Sequence, residues 1–81
     1  MSDKRIFITG GASGLGKAIA MRFAREGFKV CIGDVNDERG LEAEAELKAI
    51  APDAFYLFCD VTKIKHLESA RTELEERWGG V

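Results

Sequence analysis

Thr9-Gly10-Gly11-Ala12-Ser13-Gly14-Leu15-Gly16 is the stretch that decides how this chain folds. It follows Ile6-Phe7-Ile8, a continuous apolar and β-branched run that reads as a strand buried on both faces. It opens a segment in which Leu15, Ala18, Ile19 and Phe23 recur at helical spacing, up to Gly27, where a helix C-cap takes positive φ. Glycines at 10, 14 and 16 permit backbone conformations and close approaches that side chains would block. A helix starting there presents free N–H groups and a partial positive charge, both suited to an anionic pyrophosphate. A tight strand-to-helix turn with no ligand would use the same glycines, so the loop alone leaves both readings open.

Outward from the loop, the pattern repeats. Phe28 to Gly33 reads as a second strand, with Phe28, Val30 and Ile32 on one face and Cys31 and Gly33 on the other. Asn36 offers a side-chain cap, and Asp37 and Glu38 follow in a first turn where negative charge suits the helix dipole. That helix carries Ala43, Leu47 and Ile50 on one side, and Pro52 forbids its continuation. Phe55 to Cys59 reads as a third strand closing at Asp60. Thr62 is placed to cap a last helix with the stripe Ile64, Leu67, Ala70, Leu74 and Trp78, ended by Gly79-Gly80. The order is βαβαβα, which implies an α/β fold with a parallel sheet and right-handed crossovers.

Asp34 ends the second strand, eighteen residues after Gly16. In a doubly wound sheet that strand lies beside the first, so the carboxylate would face a bound ribose. It would accept hydrogen bonds from both ribose hydroxyls and repel a 2′-phosphate, and no basic residue follows until Arg39. NAD is therefore expected over NADP. A cap or turn role before the next helix is the alternative for Asp34.

Composition sets the outer limits. The 81 residues carry 12 Lys plus Arg against 14 Asp plus Glu, a net charge of −2, so there is no basic excess for a nucleic-acid surface. Hydrophobic residues at 46% argue against disorder, and no apolar run approaches the roughly 20 residues needed to span a bilayer. No secretory signal is visible, and the expected location is cytoplasmic. Cys31 and Cys59 lie far apart inside apolar runs, which reads as two buried free thiols rather than a metal or redox pair. His66, flanked by Lys65 and Leu67, reads as a surface histidine, and no metal site is expected.

TGGASGLG resembles the TGxxxGxG fingerprint of the short-chain dehydrogenase/reductase family, matched at Thr9, Gly10, Gly14 and Gly16. Asp34 matches that family's ribose-binding acid, and Asp60-Val61 its Asp-Val pair after the third strand. The resemblance covers all 81 residues and implies a Rossmann-type sheet with strand order 3-2-1, incomplete, with helices on both faces. It makes residues 1–81 the N-terminal part of a dinucleotide-binding domain. It implies that Gly10, Ser13, Gly14, Leu15 and Gly16 hold the pyrophosphate side, Asp34 and Val35 the adenosine ribose, and Asp60 and Val61 the adenine.

The ending Trp78-Gly79-Gly80-Val81 resembles the entry to the family's fourth strand. The family's Asn-Asn-Ala-Gly segment, its catalytic Ser and its Tyr-x-x-x-Lys pair have no counterpart here. The sole tyrosine, Tyr56, lies in the third strand with Asp60 four residues on, and reads as a sheet residue. The expected function is the NAD-binding N-terminal portion of a short-chain oxidoreductase, with no catalytic residue of its own and hydride transfer to or from a carbonyl or alcohol only in a full-length chain. A non-catalytic nucleotide-binding module, or a regulatory partner of a full-length relative, is the alternative, and a scaffold without ligand is a third. With strand one lacking its second neighbour, self-association along Ile6-Phe7-Ile8 or through the sheet face is expected.

Overall fold

The computed structural model describes residues 4–79. Its elements are β1 (Arg5–Thr9), α1 (Gly14–Arg25), β2 (Lys29–Asp34), α2 (Asp37–Lys48), β3 (Phe55–Phe58) and α3 (Ile64–Trp78). The strands form one parallel sheet in the order β1-β2-β3, the neighbours expected from the sequence. In register, Thr9 lies beside Gly33 and Asp34 beside Phe58. All three strands therefore end at the same edge, and the segments that follow them gather there.

The two faces of the sheet make two cores. Val30 and Ile32 pack with Ala20, Ala24, Ala43 and Leu47, which places α1 and α2 on one face. Cys31 and Phe55 pack with Leu74 and Trp78 of α3 on the other, with the Phe55 and Trp78 rings edge to face at 5.1 Å. The alternation expected along β2 is thus observed, and so are buried thiols at Cys31 and Cys59.

Several expectations about the helices are corrected. In α1 the buried residues are Ala20 and Ala24, while Leu15 is 77% exposed and Ile19 is also exposed. Gly16, Ala20 and Ala24 form a stripe one residue beside Leu15, Ile19 and Phe23, and the smaller stripe wins because it lets the helix lie close on the sheet. A Cβ at Gly16 would overlap the Gly10 carbonyl oxygen, so that approach closes the loop against the helix. Helix α2 ends at Lys48, before Ile50, which is exposed in the turn that follows. In α3 only Ala70, Leu74 and Trp78 are buried; Ile64 is 73% exposed. Thr62 does not cap α3, because its hydroxyl donates to Asp60 Oδ1 at 2.6 Å instead.

Ile6, Phe7 and Ile8 are half-buried rather than buried, since β1 has β2 as its one strand neighbour among the described residues. The expected entry to a fourth strand at Gly80 and Val81 lies outside the described residues. Asn36 caps α2 as expected, its Oδ1 accepting from Arg39 N–H at 2.9 Å. Gly27 and Gly79 follow their helices at φ 88° and 79°.

Candidate functional site

The site grows from the edge where the strands end. After β1 the chain turns through Gly10 and Gly14, at φ 68° and 53°. The N–H groups of Gly10 and Gly11 donate to the Gly33 carbonyl at 2.7 and 3.3 Å, carrying the β1–β2 pairing into the loop. Ser13 is the N-cap of α1, yet its side chain makes no capping hydrogen bond. The first-turn N–H groups of a helix have no partner within it, and α1 has no acidic residue in that turn. The loop therefore offers unneutralised donors and the positive end of a dipole, the chemistry of an anion site.

Asp34 closes the other side. Its Oδ2 accepts from Ala12 N–H at 3.2 Å, and its Oδ1 from Val35 N–H at 2.7 Å and Asn36 N–H at 3.3 Å. A carboxylate has about four lone-pair sites, so the group is held in place with acceptor capacity left over. Its backbone carbonyl accepts from Cys59 N–H at 2.9 Å and from the Tyr56 hydroxyl at 3.2 Å. Asp34 thus joins the glycine loop, β2 and β3 in one bonded unit.

At the end of β3, Asp60 Oδ1 accepts from Thr62 N–H at 3.0 Å and from the Thr62 hydroxyl. Those bonds hold its carboxyl below the usual carboxylate range, the hydroxyl bond contributing most. Val35 and Val61, 57% and 52% exposed, flank the corner with apolar surface that the chain itself leaves uncovered. The structure brings Gly10 to Gly16, Asp34, Val35, Asp60 and Val61 to the one sheet edge.

Comparison with known proteins decides the family. The family model for short chain dehydrogenases matches residues 4–81. The chain belongs to the short chain dehydrogenase family. Across all 81 residues it is 44% identical to the 2,5-dichloro-2,5-cyclohexadiene-1,4-diol dehydrogenase of Sphingobium indicum, of which it spans 32% of the length. Two solved structures of the family superpose with a TM-score of 0.92 over 99% of this chain. One is the L-sorbose reductase of Gluconobacter frateurii, complexed with NADPH and L-sorbose, at 30% identity over 31% of its chain. The other is a short chain dehydrogenase/reductase of Burkholderia phymatum in complex with NAD, at 26% identity over 28% of its chain. The chain thus spans about a third of the length of the short chain dehydrogenases it matches.

Two residues at this edge make contacts that the sequence did not show. Tyr56 is a sheet residue, as expected, but its hydroxyl also donates to Asp37 Oδ1 at 2.7 Å. Burial, then that bond, push the phenol well above its ordinary value. His66 is half-buried rather than a surface residue: its Nδ1 accepts from Asp60 N–H at 3.1 Å, and its ring lies 5.6 Å from that of Phe58. The signal in the sequence was spacing alone, since a side chain six residues past Asp60 reaches back only if the lead-in folds over the helix start. Among the described residues no group of three His, Cys, Asp or Glu side chains is placed to hold a metal ion, and no helix is long and apolar enough to cross a membrane.

Proposed function

We propose that this chain forms the adenosine and pyrophosphate side of an NAD site in a short-chain oxidoreductase, residues 1–81 being the N-terminal part of a dinucleotide-binding domain. The observation that carries it is the Asp34 carboxylate bonded to Ala12 N–H, a fixed negative charge on the rim of a loop built for an anion. The N–H groups of the Gly10–Gly16 loop, with Ser13, Gly14 and Leu15 at the helix start, would hold the pyrophosphate. Asp34 and Val35 would hold the ribose, and Asp60 and Val61 would flank the adenine. Bound there, NAD would supply a nicotinamide that takes or gives hydride. The described residues bind and orient its other half, and the Tyr56 hydroxyl, its one proton shared between Asp37 Oδ1 and the Asp34 carbonyl, is committed to the fold.

Relatives complexed with NAD and with NADPH leave the choice of cofactor to the local charge. A 2′-phosphate would be brought against Asp34, which favours NAD. Calorimetry with NAD, NADP and AMP on this chain and on Asp34→Ala tests the reading. The unaltered chain is expected to bind NAD and AMP comparably and NADP more weakly. Asp34→Ala is expected to lose about tenfold or more for NAD, in line with a hydrogen bond to a charged group, and to narrow the gap to NADP. Tighter binding of NADP than of NAD by the unaltered chain would overturn the assignment. Circular dichroism on both chains separates a lost site from a lost fold.

The proposed partners are this cofactor and a further strand along the edge of β1 that has no strand neighbour among the described residues. That edge carries half-buried Ile6, Phe7 and Ile8, and unpaired strand edges template association.

A further inference from the structure

We infer that His66 is a positioning residue for the adenosine side of the site, acting through the neutral imidazole that holds the backbone of Asp60. The inference rests on the reading of Asp60 and Val61 as the adenine corner. A backbone N–H can only donate, so the 3.1 Å contact from Asp60 N to His66 Nδ1 fixes Nδ1 as the acceptor and leaves the ring proton on Nε2. The ring also lies beside that of Phe58, the last residue of β3 and the register partner of Asp34. The backbone N–H of His66 donates to the Lys63 carbonyl at 3.0 Å, which fixes the residue that carries the imidazole at the start of α3. One side chain therefore ties the end of β3, the Asp60 corner and the start of α3 together.

The Asp60 carboxylate is itself held by Thr62, so His66 Nδ1 is the side-chain acceptor that holds the Asp60 backbone. An imidazole that carries a proton on Nδ1 has no lone pair there, so only the tautomer with its proton on Nε2 holds the corner.

The test compares AMP affinity and the Asp60 amide resonance at about pH 8 on the full chain, on His66→Asn and on His66→Leu. The Asn carbonyl can accept in place of Nδ1; Leu cannot accept at all. His66→Leu is expected to lose about tenfold in AMP affinity, the worth of about one hydrogen bond, with the Asp60 amide shifted, and His66→Asn to recover both. His66→Leu binding AMP as tightly as the unaltered chain would overturn the inference. So would His66→Asn as weak as His66→Leu, because an acceptor at that place would then not be what positions the corner. Asp60→Ala tells the two levels apart. If it weakens AMP while neither His66 variant does, only the role of His66 fails. If AMP binding is indifferent to Asp60→Ala as well, the adenine corner itself is misplaced, and the inference falls with it.

Discussion

At the scale of single residues, the loop is decided by space rather than by chemistry. Gly16→Ala puts a methyl onto the Gly10 carbonyl oxygen, and backbone on both sides leaves nothing flexible to give way. Overpacking of this kind costs about 1–3 kcal/mol, while Gly14→Ala, in open space at φ 53°, costs only the left-handed backbone, about 1 kcal/mol. Urea unfolding of the two variants should rank Gly16→Ala as the more damaging; equal losses would mean that the loop relaxes away from the helix. Protonation gives a second residue-level expectation. Burial pushes the Cys31 thiol from 9.0 up to about 12, so its proton is held more tightly in the folded chain than in the unfolded one. The corresponding stability is fully present below pH 9 and is lost as pH rises from there towards about 12, at no more than about 1.4 kcal/mol per pH unit. Burial raises Cys59 in the same direction, with Asp60 adding to it. Unfolding scans above pH 9 should show that loss, and Cys31→Ser should flatten it. Neither thiol should react with a thiol reagent at neutral pH until the chain is unfolded.

At the scale of elements, α2 is set by what lies under it. Gly40 is buried in the helix, and a Cβ there would overlap the Tyr56 ring, which its hydroxyl bonds to Asp37 and Asp34 hold in place. Gly40→Ala gains about 1 kcal/mol in helix propensity but loses about 1–3 kcal/mol to overpacking, so the chain should be destabilised. In a Tyr56→Ser background the ring is gone and the same substitution should stabilise; no change of sign in that double-mutant cycle would remove Tyr56 as the cause. The N-cap is a separate contribution, and Asn36→Ala should cost about 1 kcal/mol in the same measurement. This element shows what the sequence made legible. Asn36 and the first-turn acids could be read directly, because capping is local. A glycine in mid-helix could not, because its reason is a tyrosine sixteen residues on. The same holds at the site: the glycine loop and Asp34 stood out by spacing, whereas Tyr56 acts through contacts that exist only once β3 lies beside β2, and His66 through a lead-in that folds back over the start of α3. For α1, periodicity found the helix but not its buried stripe, because two stripes lie one residue apart and close packing selected the smaller.

At the scale of the whole molecule, these residues fold into a compact body with an unfinished edge. The radius of gyration is 11.5 Å, against about 11.7 Å for a compact domain of this length, so the described residues pack as closely as a small domain does. Along β3, the opposite edge, Tyr56 N–H is taken by Glu44 Oε2 at 2.9 Å, and a carboxylate on an edge amide blunts pairing with another strand. The described residues show β1 paired on one side alone. The two edges are therefore unequal, and association should run through β1. Light scattering on the isolated chain should show an average mass that rises with concentration. Glu44→Gln keeps an acceptor at Tyr56 N–H and should leave that rise unchanged, whereas Glu44→Ala opens the second edge and should steepen it. A monomer at every concentration would remove β1 as an association edge. A rise that Glu44→Ala leaves no steeper would show that Glu44 does not guard the β3 edge.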